Sequence, residues 1–298
     1  MKIIVSIVIP TYKRKDSLLR LLKSLKTETD VSTEVIIIEQ VFNNEEDYKK
    51  SAIKNKINLK YFFLKDASTS KAKNYGEKKA EGEYILFLDD DVIAKKGLIN
   101  NHFKNFKDKN ICAVVGRCVT VGQEIELERE DVGKITFLGK FTDGFTSNIK
   151  QKVDTVIGCN AFWRKDIFDK INGFDEQFTG NAMREESDLS LRAKKLGYKI
   201  IYDPKAEIEH LRAETGGNRK TEGRIKWYFD LFSNETYFFL KHRPKFIVPI
   251  ILLTRWEWAF RCMFGFGREV SIRSITTPFF GIYDGCKKYW RYKYENRR

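Results

Sequence analysis

Tyr84-Ile85-Leu86-Phe87-Leu88-Asp89-Asp90-Asp91 places an apolar run directly before three carboxylates. A short continuous apolar run bounded by polar residues reads as a strand buried on both faces, as in parallel sheets covered by helices. Adjacent carboxylates repel one another, so at a strand end they cost stability unless a cation sits among them. Hard oxygen ligands suit Mg²⁺ or Mn²⁺, which usually hold substrate phosphates as well. The plainer reading is a solvated acidic turn. Placement after an apolar strand, not inside a charged run, argues for the metal.

The residues on either side repeat the pattern. Ile3–Ile9 is a strand-like run that Pro10 ends, and Asp16–Lys26 follows with Leu18, Leu21, Leu22 and Leu25 at helical spacing. Asp16 is the expected N-cap. Glu34–Ile38 and Leu59–Leu64 read as strands, and Glu45–Lys56 and Ser70–Lys79 as helices. This alternation predicts an α/β domain with a mostly parallel, Rossmann-like sheet flanked by helices. Ligands of such sheets bind outside the carboxyl ends of the strands. Downstream, Gly122–Val153 reads as loops with short strands, Val156–Phe162 as a strand and Gly173-Phe174-Asp175 as a turn. Glu185–Leu196 is helical and Lys199–Tyr202 is the last expected strand. An aromatic helix runs from Thr221 to Arg243, stopping before Pro244, and an aromatic, basic tail follows. A soft boundary near residue 220 divides the chain into 1–220, with halves 1–120 and 121–220, and a helical extension 221–298.

The chain has 298 residues, of which 42% are hydrophobic, which excludes a disordered or fibrous class. Lys and Arg exceed Asp and Glu by 55 to 41, a net charge of +14 that favours anionic partners without choosing among them. Cys112, Cys118, Cys159, Cys262 and Cys286 are scattered without a C-x-x-C pair, so free thiols in a reducing cytosol are expected. The N-terminal run reads as a first strand rather than a signal peptide. The apolar stretch Phe246–Leu253 contains Pro249 and is too short for a spanning helix, which needs about 20 apolar residues. Neither G-x-G-x-x-G nor G-x-x-x-x-G-K-[ST] occurs, so any nucleotide diphosphate must be held in another way.

A second acidic cluster, Glu185-Glu186-Ser187-Asp188, opens a helix. Acidic first turns are ordinary helix-dipole chemistry, but a carboxylate there is also a candidate general base. His210 is one of three histidines and a candidate to join the Asp cluster.

The order of these segments resembles the inverting, GT-A-fold glycosyltransferases of family 2. The resemblance rests on Pro10-Thr11-Tyr12-Lys13-Arg14, the strand ending at Glu39, Lys73-Asn74-Tyr75-Gly76, Phe87-Leu88-Asp89-Asp90-Asp91, Gly173-Phe174-Asp175, Glu185-Glu186-Ser187-Asp188-Leu189 and His210, and covers about residues 3–220. It implies that Thr11, Tyr12 and Arg14 border the nucleotide, with the base stacked near Tyr12. Glu39 stands where the family usually has an Asp reading the base, and Lys73 where Arg is frequent; Asn74 and Gly76 match. Asp89 to Asp91 resemble a D-x-D motif, with Asp91 on the metal and Asp89 or Asp90 by the base and ribose. Asp89 and His210 are further implied metal ligands. Glu186 falls where the family commonly has an Asp and is the first candidate base, with Glu185 or Asp188 in reserve. Gly216-Gly217-Asn218-Arg219 reads either as a loop closing over the diphosphate or as a surface turn.

The implied reaction moves a sugar from a nucleotide-diphosphate donor, UDP- or dTDP-linked first, to a glycan or lipid-linked acceptor in surface polysaccharide or glycolipid synthesis. It implies Mn²⁺ or Mg²⁺ and a cytoplasmic enzyme, peripheral on the inner face of the cell membrane. The segment after residue 220 reads as a lid and acceptor-side extension touching an anionic membrane surface; packing within a homodimer is the competing reading. A metal-dependent nucleotidyltransferase is the main alternative, but would usually carry a Gly- and basic-rich loop after strand one, where this chain has Pro10-Thr11-Tyr12. A nucleic-acid-binding protein would use the basic, aromatic tail but leaves the Asp triplet unexplained. No nucleic-acid partner is expected.

Overall fold

The computed structural model describes residues 2–26, 31–41, 44–66, 68–212, 223–264 and 271–295. Elements β1 (Val5–Thr11), α1 (Lys15–Leu25), β2 (Thr33–Glu39), α2 (Glu45–Asn55), β3 (Leu59–Phe63), α3 (Thr69–Lys78) and β4 (Tyr84–Leu88) alternate as expected. They build a parallel half-sheet in the order β3-β2-β1-β4. Every residue of β1 is buried, which is why its apolar run does not alternate.

Beyond β4 come β5 (Val92–Ala94), α4 (Leu98–Phe103), β6 (Ile111–Thr120), β7 (Gln151–Val153), β8 (Asn160–Arg164), α5 (Lys165–Lys170), α6 (Glu185–Lys195) and β9 (Lys199–His210). The sheet continues β8-β6-β9-β5, with β7 on β9. Here it is mixed rather than parallel: β8 is antiparallel to both β4 and β6, whereas β6 and β9 are parallel. A strand buried on both faces is equally apolar in either direction, so its pattern cannot disclose its sense.

Three local expectations need correction. Arg14, not Asp16, occupies the N-cap of α1, without a side-chain cap bond, and Asp16 sits in the first turn, where its charge suits the helix dipole. The strand expected at Val156–Phe162 begins only at Asn160. The last strand runs on to His210, because a register shift between Gly116 and Arg117 of β6 lets it carry Pro204.

The C-terminal helices are α7 (Gly223–His242), α8 (Val248–Leu253), α9 (Trp256–Phe264) and α10 (Ile272–Glu295). The main core lies around the sheet. A second cluster joins Tyr237, Phe238, Phe239, Ile247, Val248 and Ile251 to Phe178, with Ile135, Phe141 and Leu191 packed against it. No helix among the described residues is long and apolar enough to cross a membrane. The segment Gly216–Arg219 and the expected helix start at Thr221 lie outside the described residues.

Candidate active site

Parallel registry sets the strand ends level, pairing Thr11 at the end of β1 with Glu39 at the end of β2. The acidic triplet begins just beyond β4 on the same edge. Thr11 Oγ1 donates to Asp90 Oδ2 at 2.7 Å, and Arg14 Nη1 lies 3.0 Å from both Asp90 Oδ1 and Asp91 Oδ2. Burial pushes the Asp90 carboxyl up to about 6, against the pull of Arg14 and Thr11. The chain then folds back into β5, whose Val92 pairs with His210 of β9. That pairing brings His210 Nε2 to 3.3 Å from Asp91 Oδ1.

Asp89, Asp91 and His210 offer ligand atoms that all lie within 4.8 Å of one another. Two carboxylates and an imidazole are the donors that a divalent cation such as Mn²⁺ accepts, so the residues fit such an ion. Asp90 turns toward Thr11 and Arg14 and is not part of this group.

Lys73 on α3 connects the triplet to the second acidic cluster. Its ammonium is buried and lies 2.7 Å from Glu185 Oε1 and 3.3 Å from Glu186 Oε1. Burial opposes its charge, yet Glu185, Glu186 and Asp89 raise its pKa above the ordinary lysine value. Glu185 also accepts from Ser70 Oγ, and burial pushes its carboxyl upward against Lys73. Glu186 differs: 24% of its side chain is exposed, against 1% for Glu185 and 0% for Asp188. A Cβ at Gly158 would meet the Glu186 carboxylate and Lys73, so the chain between β7 and β8 passes directly against this pair.

Asp188 lies elsewhere, inside a buried ion cluster. It accepts from Arg192 Nε at 2.8 Å, Lys241 Nζ at 2.8 Å and His242 Nε2 at 2.7 Å. Burial works to raise its carboxyl, but Arg192, His242 and Lys241 overcome it and hold Asp188 well below the usual carboxylate range. Arg184, immediately before α6, pairs with Glu235 of α7, which also holds Arg255 Nε at 3.0 Å. The helix carrying Glu185 and Glu186 is thus gripped from behind by α7.

Glu39 is enclosed by Asn44, Tyr48 and Tyr61. Asn44 donates its backbone N–H at 2.9 Å and its side chain at 2.6 Å; the two tyrosine hydroxyls donate at 3.2 and 2.8 Å. Asn74 pins the Gly173-Phe174-Asp175 turn, donating to the Phe174 carbonyl at 2.9 Å and accepting the Phe174 N–H at 2.9 Å. Tyr12 stays half-buried at the mouth of the edge, with Lys13 Nζ 5.3 Å from its ring centre. Gly158, Ser70 and Glu235 were not singled out from sequence. Only the contacts across the fold identify them.

The chain is similar to known proteins over most of its length. O-antigen chain rhamnosyltransferase RfbN of Salmonella typhimurium is 24% identical and aligns over 96% of each chain. Among solved structures, TarS 1–349 of S. aureus in complex with UDP-GlcNAc superposes with a TM-score of 0.64 at 18% identity, covering 96% of this chain and 81% of that one. A mannosyltransferase from Pyrobaculum calidifontis in complex with GDP-Man and Mn²⁺ gives 0.57 at 14% identity, covering 96% and 86%. These superpositions show the GT-A fold. Residues 6–172, more than half of the chain, match the family model described as Glycosyl transferase family 2. The strand-end triplet falls inside that match and the acidic helix start lies just beyond it, and the chain belongs to glycosyltransferase family 2.

Proposed function

We propose that the protein transfers a sugar from a nucleotide-diphosphate donor to an acceptor hydroxyl with inversion at the anomeric carbon, and that Glu186 is the general base. One observation carries the assignment: of the three carboxylates at the start of α6, Glu186 alone among them keeps a solvent-reachable face, held by Lys73 beside the Asp89–Asp91–His210 group. Glu185 acts by fixing Lys73, and Asp188 by anchoring α6. A base so placed removes the acceptor proton as the hydroxyl attacks opposite the diphosphate, so a single displacement inverts the centre and needs no enzyme nucleophile. Asp89, Asp91 and His210 would hold Mn²⁺ or Mg²⁺, which when bound neutralises charge developing on the leaving diphosphate. Arg14 keeps Asp90 and Asp91 oriented, and Thr11, Tyr12 and Glu39 border the nucleotide. The bonds that enclose Glu39 make it a rigid wall of that subsite.

RfbN's role as an O-antigen chain rhamnosyltransferase supports a surface-glycan product. We place the enzyme in the cytoplasm, peripheral to the membrane, with a glycan or lipid-linked acceptor. Residues 1–220 form the catalytic domain, with a nucleotide-sugar half at 1–120 and an acceptor half at 121–220; residues 221–298 form the helical extension. The test is turnover of UDP- and dTDP-sugars with Mn²⁺. Glu186→Gln is expected to lose about 10²–10⁴-fold in rate while nucleotide binding persists. Normal turnover by Glu186→Gln, with Glu185→Gln or Asp188→Asn inactive, would reassign the base.

A further inference from the structure

Large apolar side chains left in solvent are sparse over most of the fold and dense at its end. Among the described residues, 13 of the 23 such side chains fall between Phe246 and Tyr294, about one-sixth of the chain. Several are almost fully open: Phe246 at 79%, Leu253 at 73%, Trp256 at 70% and Ile272 at 82%. They are not scattered. Phe246, Ile250 and Leu253, then Trp256, Phe260 and Phe264, recur at steps of three and four residues, which is one face of a helical segment. On α10 the same spacing joins Ile272, Ile275, Phe279 and Tyr283. The opposite faces are already used. Gly281 and Gly285 of α10 back onto Phe232 and Thr236 of α7, and Cys262 of α9 is buried beside Ser274. Each helix therefore packs one face inward and turns a second apolar face to water, against the usual rule for a helix on a globular surface.

Charge selects the occupant. Lys245, Arg273, Lys287 and Arg291 are exposed in the same stretch, against two exposed acids among the described residues: Glu257, paired with Arg261 at 2.6 Å, and Glu295 at the end of α10. Apolar and aromatic rows edged with cations match an anionic lipid surface, where aromatic rings sit at headgroup level and cations meet phosphate. Since no described helix can span a bilayer, the fit is to its surface. We propose that the outward faces of α8, α9 and α10 seat in the interfacial layer of an anionic membrane. The inference deepens the reading of a membrane-borne acceptor and rests on it for its purpose.

The test is co-sedimentation of the full chain with vesicles of phosphatidylcholine alone or mixed with phosphatidylglycerol, at low and high salt. Turnover of a nucleotide sugar by hydrolysis is measured on the same samples. The wild type should pellet with anionic vesicles at low salt and leave them as salt rises. The pairs Trp256→Glu with Phe260→Glu, and Ile272→Glu with Phe279→Glu, should each lower pelleting by about tenfold, with unchanged melting temperature and hydrolysis. A wild type that stays in the supernatant overturns the proposal, as do variants that pellet like wild type. So does a stable dimer that these substitutions split while no vesicle binds. Hydrolysis that persists in any of these cases leaves the transferase reading intact, and its absence from every sample counts against that reading alone.

Discussion

Gly158 carries no side chain, and the space a methyl group would take is filled by the Glu186 carboxylate and, at 2.9 Å, by Lys73 Nζ. Gly158→Ala must push Glu186 aside while leaving the buried sheet untouched. Misplacing a reacting group by about 1 Å can cost about 10²-fold in rate, so turnover should fall by that order with little change in melting temperature. Wild-type turnover would show that Glu186 is not held to a fixed position. At the strand end, Asp91→Ala removes one of three candidate ligands and one of the two carboxylates paired with Arg14. It should abolish turnover, and EDTA should inhibit the wild type; full activity of metal-stripped protein would remove Asp91 from that role. The Asp triplet was legible because carboxylates after an apolar run are costly wherever they occur. Gly158 was not, since a glycine's reason lies in what approaches it from elsewhere in the chain.

Helix α6 shows how elements share this work. Its acidic first turn suits the helix dipole by itself, and sequence alone could not separate that role from catalysis. The separation comes from α7, which supplies Glu235 to Arg184 and both Lys241 and His242 to Asp188. These partners lie about fifty residues away in sequence, beyond any local pattern. Glu235 is buried between Arg184 and Arg255. Removing one partner of a buried ion pair typically costs about 3–5 kcal/mol, so Glu235→Ala should lower the melting temperature clearly. It should also reduce kcat more than it raises KM for the donor, because the freed Arg184 abuts the turn that presents Glu185 and Glu186. An unchanged kcat in a destabilised variant would confine Glu235 to stability. The half-sheet β3-β2-β1-β4 was readable because each strand and helix in it announces itself locally. The sense of β8 and the length of β9 are decided by pairing between distant segments, and those were missed.

For the whole molecule, the sequence boundary near residue 220 coincides with a change in composition but not with a gap in packing. Phe178 and Leu191, which precede the boundary, sit in the same apolar cluster as Tyr237, Phe238 and Phe239, which follow it. Asp175 accepts from Tyr237 and Lys241 across the same line. A chain ending at residue 222 would therefore expose that cluster. It would also leave Asp188, fully buried, with Arg192 alone of its three cationic or imidazole partners. Stripping partners from a buried charge costs about 3–5 kcal/mol, and the lost apolar burial adds about 25 cal/mol for each Å² returned to water. Against a total stability of about 5–15 kcal/mol for a folded protein, the truncated chain should aggregate or melt far below the full one. It should also lack turnover even though Asp89, Asp91, Glu186 and His210 all remain. Size-exclusion chromatography, thermal melting and nucleotide-sugar turnover of the 1–222 chain check this. A monodisperse, active truncation would mean that α6 holds its own position, and that the C-terminal helices serve only the surface on which they end.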